Sequence, residues 1–90
     1  MHKQTKLEKE RMNRIRLSIY AYAYEVENDS LVSDEEFDRL SRSIDPNVST
    51  NHKVMDSFFR KKFHPDTGMW IHEHPEINRI KELYEKHHQL

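Results

Sequence analysis

A single glycine, Gly68, serves a chain of 90 residues, and that scarcity narrows what the backbone can build. The dinucleotide fingerprint and the P-loop both need several glycines for close approach to a phosphate, so nucleotide-binding α/β folds of the usual kind are excluded. Cysteine is absent altogether, which removes a disulfide scaffold, a thiolate zinc site and a cysteine nucleophile, and makes cytoplasmic the default expectation. No apolar run approaches the roughly 20 residues of a membrane helix, and no charged-then-apolar leader precedes a cleavage site. The chain is therefore expected to be soluble, unprocessed and without a membrane partner.

The apolar supply is thin: 34% of residues are hydrophobic, as many as are charged. A chain this short buries only about 60% of its unfolded surface, so its apolar side chains must share one interface. Nine aromatic residues (four Phe, four Tyr and Trp70) distinguish it from a disordered chain, which is poor in such residues. Charge-rich helices with one narrow apolar stripe fit this composition, and no stretch alternates with period two. An all-α domain of about four helices is expected over residues 1–90.

Capping signals place the helices. Thr5-Lys6-Leu7-Glu8 has capping-box form, and Ile15, Ile19, Tyr22 and Val26 follow at helical spacing, which predicts a first helix to about Glu27. Ser33-Asp34-Glu35-Glu36 is a second box. There the serine accepts the Glu36 amide, the carboxylate reaches back and Val32 staples onto Phe37; Phe37, Leu40 and Ile44 line one face before Asp45-Pro46 ends the helix. A third helix is predicted over roughly His52 to Phe63, with Val54, Met55, Phe58, Phe59 and Phe63 on its apolar side. The fourth begins at Pro75, suited to a first turn, with Ile77, Ile80, Tyr84 and His87 as its stripe. The domain thus divides into a hairpin with a basic arm (1–45) and a C-terminal helix pair (46–90), whose core gathers Phe58, Phe59, Trp70, Ile77, Ile80 and Tyr84.

Charge is segregated behind a formal net of −1. Residues 1–16 carry six Lys/Arg against two acids, a net +4, and residues 17–45 carry two arginines against eight acids, a net −6. The basic end reads either as an exposed helix face or as an arm for nucleic acid.

The stretch from Tyr22 and Tyr24 through Asn28 to Ser33-Asp34-Glu35-Glu36-Phe37-Asp38-Arg39-Leu40 resembles the helical Ia domain of bacterial NAD-dependent DNA ligases over residues 20–44. That family has a tyrosine pair at a helix end, a short acidic turn, then Ser/Pro-Asp-x-Glu-Tyr-Asp-x-Leu. The resemblance implies a cap over nicotinamide mononucleotide (NMN), the half of NAD whose cationic ring favours an aromatic face and carboxylates. Tyr24 would stack on the ring, and Asp34, Phe37 and Asp38 would hold it. Phe37 stands where the family has tyrosine, and Glu25 where it has histidine. No Lys-x-Asp-Gly nucleophile motif follows, so ligation is excluded and one wall of a nucleotide pocket is what such a cap offers.

Phe58-Phe59-Arg60-Lys61-Lys62-Phe63-His64-Pro65-Asp66 resembles the basic helix and His-Pro-Asp loop of J domains, co-chaperones of heat-shock ATPases, over residues 54–86. This implies a partner surface of Arg60, Lys61, Lys62, His64 and Asp66. Read without the resemblance, Pro65 stops the third helix, His64 bonds locally and Gly68 makes a turn at positive φ. Arg60, Lys61 and Lys62 with the basic N-terminus also suit phosphates.

Met69-Trp70-Ile71 pins the loop onto the helices, each buried side chain stabilising by ~1.5 to 3 kcal/mol; if exposed, Trp70 is a partner hot spot. Of the seven histidines, His72 and His74 with His64 and Asp66 are the residues a metal would use, but no His-x-x-x-His pair lies on a predicted helix and no metal site is expected. No nucleophile with an oxyanion donor can be named. The expectation is a non-catalytic binding or regulatory protein of phage or mobile-element type, acting on another protein of DNA metabolism, with no obligate cofactor. The alternatives are an NMN- or NAD-binding module and a divergent J-like co-chaperone.

Overall fold

The computed structural model describes residues 5–88, and four α-helices account for most of them: α1 (Lys6–Glu25), α2 (Asp34–Ser43), α3 (Lys53–Lys61) and α4 (Ile77–His88), with a 3₁₀ turn over Met69–Glu73 before α4. No strand occurs among the described residues, so the all-α expectation stands.

Both N-caps are where the sequence placed them, but only one is a full box: Thr5 closes it with Glu8, whereas at Ser33 the hydroxyl accepts the Glu36 amide at 3.2 Å and the expected return bond to the Glu36 carboxylate is not made. At the far end of α1, Asn28 adopts a left-handed conformation (φ 53°) while the Val26 and Glu27 amides both return to the Tyr22 carbonyl, which stops the helix two residues short of the expected Glu27. Pro75 and Glu76 form a turn, and α4 starts at Ile77. Gly68 has φ −99°, so the positive φ expected there is corrected. An added Cβ there would make ordinary contact, 3.4 Å from the Phe37 ring and 3.5 Å from Ala21 and Glu25.

The centre of the molecule is α1. Close backbone approaches join it to α4, to α2 and to the 3₁₀ turn, and α4 also meets that turn. Thus α4 lies along α1 and not against α3, and the second half is no self-contained helix pair. Instead, α3 is held by side chains: the Phe58 and Phe59 rings stand 6.2 and 5.7 Å from Trp70, and Phe63 stands 5.3 Å from it. One core gathers Leu17, Ala21, Tyr22, Ile44, Phe58, Phe59, Trp70, Ile71 and Ile80, with Phe37, Leu40, Ile77 and Tyr84 packed at its edge.

The buried face of α1 keeps half of the predicted stripe: Tyr22 is buried and Ile19 packs against the core. Ile15 and Val26 are exposed, and the helix also turns Glu10, Arg14, Leu17, Ser18 and Ala21 inward. Arg14 is 4% exposed. Its guanidinium donates to Glu10 at 2.7 Å, to Asp56 at 2.9 Å and to the carbonyls of Asp45 and Val48, and it lies 4.9 Å from the centre of the Phe59 ring. The carboxylates are satisfied in turn: Glu10 accepts the Asp45 amide, and Asp56 accepts both the amide and the hydroxyl of Thr50. Burial alone would raise the Asp56 carboxyl, but the Thr50 bonds and Arg14 together hold it below its ordinary value. A basic segment expected to be a solvated face or a nucleic-acid arm therefore spends Arg14 inside the fold. Lys6, Lys9, Arg11 and Arg16 remain exposed, and Lys3 lies outside the described residues.

Candidate functional site: an acidic aromatic cleft

The junction of α1, the acidic turn and α2 is built so that α1 ends with its tyrosines beside the start of α2. Ser33 caps α2, and the helix then presents Asp34, Phe37 and Asp38 toward the end of α1 from successive turns, as i, i+3 and i+4 positions do. Between them lies a cleft of about 470 Å³ whose walls include Tyr20, Tyr24 and Phe37. All four residues expected to hold a cationic ring, Tyr24, Asp34, Phe37 and Asp38, line it. Tyr24 is 59% exposed, which leaves a ring face available for stacking.

Five carboxylates, those of Glu25, Asp34, Glu35, Asp38 and Asp66, stand around this cleft, and no lysine, arginine or histidine is among the residues lining it. The floor is the loop after α3: Thr67 and Gly68 close it, Gly68 tucked beneath Phe37. At the rim, Arg42 of α2 reaches Asp66 at 3.4 Å and Asp38 at 3.9 Å, with all three side chains well solvated. Such exposed pairs hold weakly, so the carboxylates stay available to a ligand.

Asp66 was assigned from the sequence to a different surface. The structure brings it to the cleft, and separates it from most of its expected companions. His64 is exposed, and its Nδ1 accepts the Asp66 amide at 3.3 Å, the local bond expected of it. Arg60, Lys61 and Lys62 are exposed at the end of α3, with Lys62 3.5 Å from Glu73, and none of them lines the cleft. Trp70 is corrected as a partner-binding residue: at 3% exposure it is an anchor in the core, as is Ile71, while Met69 alone of that triplet faces solvent.

His72 is exposed and His74 buried, so the two rings of this His-x-His do not converge. Among the described residues no three His, Cys, Asp or Glu side chains gather as a metal would require. The His74 ring packs edge-on against Phe58, and its Nδ1 accepts the Glu76 amide at 3.0 Å. Burial lowers its pKa to about 4, against a smaller opposing effect of Glu76. Burial and a hydrogen bond to Glu27 push Tyr22 up to about 12, and burial and a hydrogen bond to Asp29 do the same for Tyr84. The latter bond, 2.8 Å, ties α4 to the acidic turn beside the cleft.

No helix among the described residues is long and apolar enough to cross a membrane. Comparison with protein-family models, curated proteins and solved structures finds no significant match.

Proposed function

We propose that this is a non-catalytic binding protein that holds a positively charged group of a protein partner in the cleft between α1 and α2. The observation that carries the reading is the lining itself: five carboxylates and three aromatic rings, with no lining cation. An arginine or lysine side chain satisfies both kinds of wall, because its charge pairs with carboxylates while its face or stem lies on the rings. The likeness of residues 20–44 to a ligase cap supports a setting in DNA metabolism, where a small regulator, of phage or mobile-element type, acts on a larger enzyme. The non-catalytic reading rests on the exposed setting of His64 and Asp66, 3.8 Å apart with both side chains nearly two-thirds accessible, which offers no water-excluded centre for proton transfer.

A second reading is NMN, with the pyridinium ring on Tyr24 and the carboxylates of Asp34 and Asp38 beside it. Arg42 favours it: its guanidinium already sits against Asp38 and Asp66 at the rim, so it is placed to meet a phosphate that the cleft's own lining would repel.

Titration of the isotopically labelled chain separates the two. A Gly-Arg-Gly amide is expected to shift the resonances of Tyr24, Asp34, Phe37 and Gly68, with a Gly-Glu-Gly amide leaving them in place. NMN acting at the same residues, with Arg42 responding and the arginine peptide inert, would establish the second reading instead. Silence toward both at millimolar concentration would remove the cleft as a cation site.

A further inference from the structure

Closer to the N-terminus of α1, against Arg11, Arg14, Ile15 and Ser18, lies a second cavity whose chemistry is the reverse of the first. It measures about 360 Å³ and lies between α1, α3 and α4. Ile15, Met55, Phe59, Ile80 and Leu83 form its apolar walls, and Ile15 is one of the few large apolar side chains left exposed.

Its lining holds more guanidinium than carboxylate groups: Arg11, Arg14 and Arg79 border it. Arg14 is bound by two carboxylates, Glu10 and Asp56, which together leave that buried triad at a formal −1, whereas Arg11 donates only to the Thr50 carbonyl and Arg79 enters no ion pair among the described residues. The sole lining carboxylate, Glu76, is engaged by His52 at 3.0 Å. The His74 ring belongs to the same wall, with its Nδ1 accepting the Glu76 amide at 3.0 Å.

We propose that this cavity binds a small amphiphilic carboxylate, its alkyl body on Ile15, Met55, Ile80 and Leu83 and its charge met by Arg11 and Arg79. The volume suits a small molecule, at the lower end of ligand cavities. The two guanidiniums without an ion-pair partner favour an anionic group over a cationic one.

Octanoate, used below its micellar concentration, tests this on the full chain by methyl and imidazole NMR. Saturable shifts are expected at Ile15, Met55, Ile80 and Leu83 and at the His74 ring. Octanol, with the same body and no charge, should bind roughly three- to fivefold more weakly, the size an exposed ion pair supplies. R79Q, at an exposed position without an ion pair, should reduce that difference while leaving octanol binding and the folded spectrum unchanged, R11Q should reduce it likewise, and the double variant should erase it. Equal affinity for octanol and octanoate, scattered shifts without saturation, or an acidic amphipathic peptide occupying the cavity where octanoate does not, would each overturn the proposal. None of these outcomes depends on the acidic cleft.

Discussion

Arg14 shows how much of this fold rests on one side chain that composition alone would place in water. Its partners lie 4, 31, 34 and 42 residues away along the chain, so it joins α1, the segment after α2 and α3 in one buried network. Arg14→Met would leave Glu10 and Asp56 buried and unpaired, which costs about 3 to 5 kcal/mol against roughly 4 to 14 kcal/mol for a whole domain of this size. Removing the carboxylates as well, in Glu10→Leu/Arg14→Met/Asp56→Leu, should recover only part of the loss, because the Asp45 and Thr50 amides then lose their acceptors. Urea denaturation of the two variants checks both statements; full recovery would mean that those amides find other partners. A second residue sets the acid limit. His74 is held neutral, with its pKa lowered to about 4 from 6.5, so between these values the unfolded chain binds the proton that the folded chain refuses. Stability should therefore fall as pH drops from about 6.5 to 4, by up to about 3 kcal/mol. Asp56, depressed below its ordinary value, adds a further loss as pH falls through its folded pKa. Denaturation midpoints against pH should show the first slope in the parent and lose it in His74→Phe.

At the scale of elements, local chemistry was the legible part. Thr5 and Ser33 start α1 and α2 as their side chains dictate, and Thr5→Ala should cost ~1 kcal/mol by thermal denaturation, since it removes the acceptor for the Glu8 amide. Periodicity was legible for α2, for α3 apart from Val54, which faces solvent, and for Ile19 and Tyr22 of α1, and it misled at the rest of the α1 stripe. Ile15 and Val26 fitted an apolar stripe, but the buried stripe carries Glu10 and Arg14, and the residue that makes their burial possible, Asp56, lies on α3. No local pattern reports a partner 42 residues away. The cleft shows the same division. Tyr24, Asp34, Phe37 and Asp38 were readable because they sit on one continuous stretch, whereas Asp66 and Gly68 reach it only through tertiary packing. Gly68 was expected to be needed for its backbone freedom, yet φ −99° is open to any residue. Gly68→Ala should accordingly fold with unchanged or slightly raised stability, by up to ~1 kcal/mol through the unfolded chain, because its Cβ meets Phe37 at 3.4 Å. Gly68→Leu should instead displace Phe37, destabilise the fold and weaken binding in the cleft, read as parallel losses in denaturation midpoint and in titration with the arginine peptide.

For the whole molecule, α1 carries two surfaces of opposite character, an acidic aromatic cleft at its C-terminal end and an apolar cavity bordered by arginines closer to its N-terminus, so a net charge of −1 describes neither. The same arrangement decides whether the N-terminal hairpin is a unit in its own right. Residues 1–45 contain the cap signals and most of the cleft, but the groups that make α1 foldable are elsewhere. Leu17 and Ala21 share one core with Phe59, Trp70, Ile71 and Ile80, and the Arg14 guanidinium needs Asp56. Cut after residue 45, the fragment would expose that apolar face and leave Arg14 without Asp56 and without the Val48 carbonyl. A pair of helices of 20 and 10 residues has little else to bury, and isolated helices of that length are marginal in water. The fragment 1–45 should therefore give a weakly helical circular dichroism spectrum and collapsed amide dispersion, whereas the full chain unfolds in one cooperative transition. A fragment with the amide dispersion of the full chain would show that the hairpin carries its own stability, and that the second half is a support added to a unit already able to stand alone.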